Sequence, residues 1–385
     1  MRKSNRLDTF DKHVCHESYT LYHDTLFDTN KLPDKRKHLS YAHTLATIEY
    51  FVDDLLADSE IPFVPNVSLN ITGVAYQTYH ASALAQRYFI VLPDYLNAVN
   101  LLSGDYEHSE RINTFIHCCQ SMGLLGTTLD KFPHCHDPKL SEPIFNGKNA
   151  AELFNTLVID IRHQWKISKM QVKVNARKNE ATKRFNDYCN YVDAMFDSCA
   201  ALLVLRVSLS YQKQYANTKS IFDITQDLNH LLENKRCNSL FCFMKGYIAK
   251  LEYNIEKGFH FHVLFFFDDS KRDKLSHIYF TKTIGEYWAK VITKGKGDYW
   301  SVNDHTQKYN PLGQWGIGSA YLKQDKIRAN LKQCVIEYFC LVEQFIRPKS
   351  VIRPKFGSKV KLLRRGNFPK VPVRKRGRPH KMESL

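Results

Sequence analysis

The sequence lacks the features that would place the chain in a membrane or in a secretory compartment. No apolar run approaches the length of about 18 residues that a membrane-spanning helix needs. The first residues, MRKSNRLDTFDKHVCHE, contain no apolar segment of the kind found in signal peptides. The ten cysteines follow no regular spacing and include no Cys-x2-Cys pair. We therefore expect an intracellular protein whose cysteines are free thiols.

Acidic residues are scarce relative to basic ones. The chain has 39 Asp and Glu against 55 Lys and Arg, which gives a formal net charge of +16. An excess of this size favours a polyanionic partner, either nucleic acid or an anionic membrane surface. The deficit is greatest near the C-terminus, where fourteen Lys and Arg residues separate Glu343 from Glu383. Because prolines are spread through this stretch, we expect 347–385 to be a basic, disordered, DNA-binding tail.

The tail contains the segment Arg376-Gly377-Arg378-Pro379, which is similar to the core of an AT-hook. In such a hook an extended Arg-Gly-Arg lies in a narrow A·T-rich minor groove, where the potential is most negative. A solvated tail that binds nucleic acid without sequence preference fits the same residues equally well. Both interpretations make Arg376 and Arg378 candidate DNA-binding residues.

A second group of residues has the ligand types of a zinc site. His117-Cys118-Cys119 is followed, after fourteen intervening residues, by His134-Cys135-His136. Adjacent ligands rarely all reach one ion, and a typical zinc knuckle has Cys-x2-Cys spacing. We therefore favour free thiols and surface histidines here over a structural zinc ion.

The hydrophobic pattern predicts an α+β protein of three parts. Residues 1–190 read as a mainly helical region of unknown role, in which 150–199 forms one or two long helices. Residues 191–346 alternate strands and helices, which predicts an antiparallel sheet with packed helices. Within it, 200–211 is expected to be a central, mostly buried strand, and 326–346 an amphipathic helix able to cross one sheet face. The basic tail follows.

The sequence is organised around His260-Phe261-His262, at the start of the apolar strand 259–267. Residues two apart share a strand face, so the two imidazoles point the same way. If strands 247–253 and 259–267 form a hairpin centred near residue 256, Glu252 faces His260 at a Cβ distance of about 5 Å. Two histidines and one carboxylate suit a divalent ion such as Mg²⁺ or Mn²⁺. The alternative is a polar sheet face that carries two histidines without a metal.

Aromatic and basic residues follow the hairpin. Single-stranded DNA stacks its bases on such rings while lysines contact its phosphates. Lys294 and Lys296, in Lys-Gly-Lys-Gly, are candidates for a phosphate-contacting loop, with a solvated turn as the alternative. The rings near them belong to Trp288, Tyr299, Trp300 and Trp315. Trp288 lies on an apolar helix face, so we expect it to be part of the core.

Four stretches resemble, in order, the HUH endonucleases, and specifically the inovirus (filamentous phage) replication-initiator type, the YagK/YfjJ C-terminal domain family. They are YVDAMFDSCAALLVLRVSLSY (191–211), GYIAKLEYNIEKGFHFHVLFFFDD (246–269), IGEYWAKVITKGKGDYWSVN (284–303) and YFCLVEQF (338–345) with FGS (356–358). The resemblance covers under half of the chain. It implies an HUH-type palm domain, a divalent metal held by Glu252, His260 and His262, and metal-dependent nicking of single-stranded DNA through a covalent 5′-phosphotyrosine.

Two positions depart from the pattern of this family. Ser208 stands where the family tends to have Asp, after Arg206-Val207 on the first strand. Leu341 stands where the family has a lysine, one helical turn after the tyrosine Tyr338. The second departure leaves Tyr321 as a competing nucleophile, because Lys323 and Lys326 lie near it. The flanks of Tyr338 match the family better, so we expect Tyr338 to be the nucleophile.

These observations predict an enzyme that nicks and joins DNA to initiate rolling-circle replication of a phage or related mobile element. The expected partners are single-stranded DNA and origin duplex DNA, and Arg206 is a further candidate DNA-binding residue. Host replication proteins are additional candidate partners, and we expect no membrane partner. The expected location is the cytoplasm of a bacterial host cell. The alternatives are a catalytically inactive HUH-like regulator that only binds DNA, which the missing lysine favours, and an unrelated protein that binds RNA or a membrane surface.

Overall fold

A computed structural model of the chain describes residues 35–102, 106–127, 132–216, 218–254, 257–271, 277–305, 316–321, 325–348 and 360–369. It divides into two compact units. The first unit comprises the described parts of 1–184 and 340–359, and the second those of 185–339 and 360–385. Each paired strand is antiparallel to its neighbour, so the fold class is α+β as predicted. No helix in these residues is both long enough and apolar enough to cross a membrane.

The helices and strands are numbered in chain order. The described residues form the strands β1 (Phe63–Leu69), β2 (Ala75–Ala81), β3 (Tyr106–His108), β4 (Pro143–Phe145), β5 (Lys148–Asn149), β6 (Ala201–Tyr211), β7 (Met244–Asn254), β8 (Gly258–Asp268), β9 (Gly297–Ser301), β10 (Gly318–Tyr321), β11 (Ile346–Pro348) and β12 (Leu363–Arg365). They form the helices α1 (Lys35–Ala57), α2 (Ala83–Tyr88), α3 (Leu92–Asn100), α4 (Glu110–Ser121), α5 (Ala150–Ile167), α6 (Met170–Asp197), α7 (Lys213–Ala216), α8 (Ile221–Glu233), α9 (His277–Tyr287), α10 (Asp325–Leu331) and α11 (Glu337–Leu341).

The first unit is mainly helical and is built around an aromatic core. The ring of Phe51 on α1 lies 6.2 Å from that of Phe115 on α4 and 5.8 Å from that of Phe154 on α5. Helix α5 begins with a capping box in which Asn149 and Glu152 satisfy each other's backbone N–H groups. Two hairpins, β1–β2 and β4–β5, and the pair β3–β11 complete the unit. The predicted long helices are α5 and α6, and the predicted boundary at residue 190 falls within α6.

The second unit is organised on one antiparallel sheet. Its strands lie in the order β12–β7–β8–β6, and the far edge of β6 pairs with β10 at one end and with β9 at the other. All eleven residues of β6 are buried, as expected for a central strand. The apolar start of Ala201–Tyr211 is typical of burial on both faces, and the later polar residues, Arg206 and Ser208, lie on the face that carries His262.

Helices cover both faces of this sheet. On one face, Phe280 of α9 packs on Phe267, and Trp288 in the π-helical turn that follows α9 packs on Tyr211. Trp288 is fully buried, which confirms the prediction that it belongs to the core. On the opposite face, Tyr191 near the end of α6 packs on Phe266. The last helices of the unit, α10 and α11, are joined by a π-helical turn, Lys332–Ile336.

The prediction of a disordered tail is wrong for the part of the tail that the structure describes. Leu363–Arg365 forms β12 and pairs with Ile248–Lys250 of β7. Arg365 bonds Asp187, and its guanidinium lies 5.0 Å from the ring of Tyr191. Composition alone suggested disorder because the tail is basic and proline-rich. A three-residue edge strand held by ring stacking and an ion pair gives no such compositional signal. Arg376 and Arg378 lie outside the described residues.

Candidate functional site

The hairpin β7–β8 brings the predicted metal ligands together. Its register is the predicted one, with Glu252 directly opposite His260 and Lys250 opposite His262. Gly258, at the start of β8, has φ +59°, and a Cβ there would lie 2.5 Å from the carbonyl oxygen of Ala216. Glycine is therefore required to close the hairpin at this position.

The side chains of Glu252, His260 and His262, here called the trio, converge on one point. His262 Nε2 lies 3.1 Å from Glu252 Oε2, and His260 Nε2 lies 3.8 Å from the same oxygen. One potential ligand atom from each residue lies within 4.8 Å of the other two. The trio is largely buried, with His260 the most enclosed member. This spacing is small enough for a single ion to contact all three residues.

Hydrogen bonds behind the trio orient both imidazole rings. His260 Nδ1 lies 3.1 Å from the carbonyl oxygen of Gly258, and His262 Nδ1 lies 2.7 Å from Ser208 Oγ. When an ion replaces the contact between His262 Nε2 and Glu252 Oε2, a proton on Nδ1 lets each ring donate to these oxygens and frees each Nε2 lone pair for the ion. Metal-binding histidines in proteins are commonly held in this way, by donation from the other ring nitrogen. The donor set of two imidazole nitrogens and one carboxylate therefore fits a divalent ion.

The electrostatics of the trio favour an ionised carboxylate and a neutral His260. Burial, together with the charge of His262, lowers the pKa of His260 to about 4, and Glu252 offsets this only in part. Burial disfavours ionisation of Glu252. Its neighbours outweigh burial and hold the pKa of Glu252 well below its usual range. They act through the charge of His262, the hydrogen bond from His262, the charge of His260 and the hydrogen bond from Tyr338. Near neutral pH both groups are thus in the protonation state that a metal ligand needs.

Tyr338 on α11 reaches the trio. Its hydroxyl donates a hydrogen bond of 2.5 Å to Glu252 Oε1, the carboxylate oxygen that does not contact His262. The next residue, Phe339, is fully buried, and its ring centroid lies 6.5 Å from that of His262. The predicted crossing of the histidine-bearing face by the last helix is confirmed by these contacts.

Tyr321 lies at the other end of the sheet. Its backbone belongs to β10 and pairs with Ala201, whereas His262 pairs with Ser208, seven residues further along β6. At a rise of about 3.3 Å per residue, these positions are about 23 Å apart along the strand. A tyrosine side chain does not span this distance, so the geometry favours Tyr338 over Tyr321 as the tyrosine that acts with the trio.

The other predicted DNA-binding residues are distributed around the sheet. Arg206 lies on the face of β6 that carries Ser208, with its guanidinium 5.6 Å from the ring centroid of Phe339. Its side chain is buried on this face. Lys294 and Lys296 lie in the turn before β9, where the carbonyl oxygen of Lys296 accepts a hydrogen bond from the backbone N–H of Gln212.

Lys250 is a residue of the site that sequence reasoning missed. It lies on β7 two residues before Glu252 and opposite His262, so its side chain leaves the same sheet face as the trio. Only 1% of it is exposed. The available signal was a lysine on the same strand as a predicted metal ligand and two residues before it. The hydrogen bond between Ser208 and His262 is a second contribution that sequence reasoning missed. In the sequence, Ser208 is visible only as a departure from the pattern of the resembling family.

The cysteines of the second group of candidate ligands lie in the part of the chain that the structure covers. Cys118, Cys119 and Cys135 are free and buried, and burial raises the pKa of the Cys118 thiol to about 11. Across the same residues, the trio is the group of three or more His, Cys, Asp or Glu side chains with the spacing of a metal site. Comparison with known proteins gives no further assignment: the chain matches no family model, no curated protein and no solved structure.

Proposed function

We propose that this protein nicks and rejoins DNA through a phosphotyrosine, with the trio holding Mg²⁺ or Mn²⁺ and Tyr338 as the nucleophile. The observation that carries the proposal is the 2.5 Å hydrogen bond from the Tyr338 hydroxyl to Glu252, a member of the trio. A tyrosine hydroxyl held against a cluster of two imidazoles and a carboxylate on a rigid sheet supports a nucleophile that acts beside a bound ion. The excess of 55 basic over 39 acidic residues supports a nucleic acid as the substrate.

The reaction is a phosphoryl transfer from DNA to tyrosine. The Tyr338 oxygen attacks the scissile phosphorus in line, the bond to the 3′ oxygen breaks, and the phenol loses its proton. The departing 3′ oxygen takes up a proton, which leaves a free 3′-OH and a 5′-phosphotyrosine. Rejoining is the reverse reaction, with a 3′-OH attacking the phosphotyrosine. A divalent ion supplies polarisation of the phosphate and offsets the charge that develops on it.

The chain's own residues organise this reaction. Glu252 orients the Tyr338 hydroxyl through the hydrogen bond it accepts. Phe339 fixes the end of the helix against His262 and Arg206, so that the tyrosine cannot swing away from the sheet without unpacking a buried ring. Preorganisation of this kind lowers the entropic cost of bringing nucleophile and phosphate together.

The biological role we propose is initiation of rolling-circle replication of a phage or related mobile element. Support comes from the ordered resemblance to inovirus-type HUH initiators and from the antiparallel sheet with His260 and His262 on one strand. An HUH-type palm is part of the same proposal. Single-stranded DNA would be the substrate of the trio, and origin duplex DNA the partner of the basic tail.

A catalytically inactive DNA-binding regulator is the competing proposal. Leu341 favours it, because this residue is buried and the helix carries no cation one turn after Tyr338. The two proposals differ in covalent chemistry alone. Incubation with Mn²⁺ and single-stranded fragments of the protein's own replicon should yield a protein–DNA adduct that survives a denaturing gel. Tyr338→Phe should abolish the adduct, whereas Tyr321→Phe should retain it. The inactive-regulator proposal predicts binding and no adduct with any fragment.

A further inference from the structure

The first half of α6 has one side packed against the first unit and one side exposed to solvent. On the packed side, Arg177 Nε lies 2.9 Å from Glu110 Oε1, and Arg184 Nη1 lies 2.5 Å from Glu343 Oε2. Ala181, between the two arginines, is buried. Residues three and four positions apart share one side of a helix, so these three mark a single packed side. The ion pairs therefore fix which side of α6 is exposed.

The exposed side carries a stripe of four residues with two asparagines at its centre. The spacing of the stripe is i, i+3, i+7 and i+10, which places its members on one side of a helix. At about 3.6 residues per turn, the stripe lies nearly opposite Arg177 and Arg184. All four residues are exposed. The stripe is called here the amide face, and it consists of Val172, Asn175, Asn179 and Thr182.

The composition of the amide face is unusual for a helix surface that only has to be solvated. Asn and Val have lower helix propensities than Lys, Glu and Gln, which solvate a surface at least as well. Val172 is nevertheless 66% exposed. Gln171 Nε2 donates a hydrogen bond of 3.0 Å to Asn175 Oδ1, which orients the Asn175 amide. The helix thus gives up some intrinsic stability for an ordered amide on an exposed face.

The side chains of the amide face have the hydrogen-bonding groups that match adenine. In the major groove adenine presents N7 as an acceptor and its N6 amino group as a donor, and an asparagine amide pairs with both. The thymine of the same pair presents a methyl group, which suits contact with an exposed aliphatic residue such as Val172. From Val172 to Asn179 the helix rises about 10 Å, which is about three base-pair steps.

The charges around the amide face suit a polyanion. Residues 166–184 include seven basic residues and one acidic residue, Glu180. Two of the seven are the arginines of the packed side, which pair with glutamates. Lysines beside a groove contact phosphates and supply the part of the affinity that does not depend on sequence. The exposed lysines of this stretch include Lys166, Lys169, Lys173 and Lys183.

We propose that the amide face of α6 lies in the major groove of duplex DNA and recognises A·T base pairs, with Asn175 and Asn179 on adenines and Val172 on thymine methyl groups. Duplex RNA does not fit, because its major groove is too deep and narrow for side chains to reach the base edges. The inference rests on the proposed function for DNA as the partner, and adds to it an element that recognises sequence. It requires neither a metal ion nor Tyr338.

The experiment is selection of duplex DNA from a random-sequence library by the full chain in EDTA, where metal-dependent nicking plays no part. Fluorescence anisotropy then gives the affinity of the selected duplex for the wild type, Asn175→Ala, Asn179→Ala and Val172→Ala. Alanine has a higher helix propensity than the residues it replaces, so these variants keep α6. Asn97→Ala is the matched control, because Asn97 is an exposed asparagine on α3 of the same unit.

Modified bases separate recognition in the major groove from contacts that the basic tail makes in the minor groove. A duplex with 7-deazaadenine lacks the N7 acceptor, and one with uracil lacks the thymine methyl group, while both keep the minor-groove edge of the pair. Each modification should weaken binding of the wild type to the selected duplex. 7-Deazaadenine should have no further effect on the variant that lacks the asparagine facing it, and uracil should have none on Val172→Ala.

The wild type should select duplexes that share neighbouring A·T pairs. Asn175→Ala and Asn179→Ala should each weaken binding to the selected duplex about tenfold and leave binding to a scrambled duplex unchanged. Lys183→Gln should weaken binding to both duplexes alike. Selection of no shared sequence, asparagine variants that bind as the wild type does, or equal competition by duplex RNA of the same sequence would overturn the inference. None of these results bears on the covalent adduct that tests the proposed function.

Discussion

At the scale of single residues, the contact between Ser208 Oγ and His262 Nδ1 shows how the chain supports its candidate metal centre. The distance of 2.7 Å is that of a hydrogen bond between a ring nitrogen and a hydroxyl group. In the resembling family an aspartate tends to occupy this position. When Nε2 of His262 binds an ion, the Ser208 hydroxyl can accept the Nδ1 proton as a carboxylate would. A hydroxyl is a weaker acceptor than a carboxylate, so it orients the imidazole in the same way but polarises the ring less.

Removing this acceptor should weaken metal binding without removing a ligand. We predict that Ser208→Ala lowers the affinity for Mn²⁺ by about tenfold, the lower end of the effect of such outer contacts, and that Ser208→Asp restores it. Calorimetry of the purified variants measures this. Ser210→Ala is the control, because Ser210 Oγ bonds the carbonyl oxygen of Asp298. Equal Mn²⁺ affinity for wild type and Ser208→Ala would contradict the role assigned to Ser208.

His260 makes a prediction about pH. Its pKa is lowered to about 4 in the folded protein, below its value of about 6.5 in an unfolded chain. Between these values the unfolded state binds the extra proton, so stability falls as the pH drops from about 6.5 toward 4. Urea unfolding at several pH values should show this loss, and His260→Gln should show a smaller one. A variant with the same pH dependence as the wild type would contradict the assignment.

At the scale of elements, the edge strand β12 is held by contacts that are unusual for a basic segment. Arg365 bonds both carboxylate oxygens of Asp187 and stacks between Tyr191 and Phe368. We predict that Arg365→Ala destabilises the protein by about 1 kcal/mol, mostly through lost ring contacts, because the ion pair is partly exposed. Asp187→Asn, which removes only the ion pair, should cost less in urea unfolding. A larger loss in Asp187→Asn would show that the ion pair dominates.

The elements also show which parts of the fold local sequence can predict. Alternation and apolar runs in the sequence predict strands β6, β7 and β8. The turn residues in the sequence between β7 and β8 predict the register that pairs Glu252 with His260. Strands β10 and β12 are four and three residues long, which is too short for a recognisable alternation. The choice between Tyr338 and Tyr321 required the positions of β10 and α11 on the sheet. The environment of Lys250 depends on three strands and on helix packing, which no single stretch of sequence contains.

At the scale of the whole molecule, the net charge of +16 should govern binding to duplex DNA. Because β12 belongs to the second unit, the informative deletion removes 370–385, which carries six Lys and Arg residues, and keeps the strand. We predict that this deletion reduces the slope of log affinity against log salt by up to about five. Fluorescence anisotropy at several salt concentrations measures it. An unchanged slope would show that the tail does not contact phosphates.

The central claim is that Tyr338 forms a covalent bond to DNA beside the trio, and mass spectrometry of the adduct tests it most directly. Tryptic cleavage after Lys332 and Lys349 yields a peptide, 333–349, in which Tyr338 is the single tyrosine, because trypsin does not cleave between Arg347 and Pro348. Tyr321 falls in a different peptide, 309–323. With Mn²⁺ present, the nucleotide mass should be found on peptide 333–349, and chelation of the metal or Glu252→Gln should remove it. A nucleotide on peptide 309–323, or no adduct on either peptide, would contradict the account.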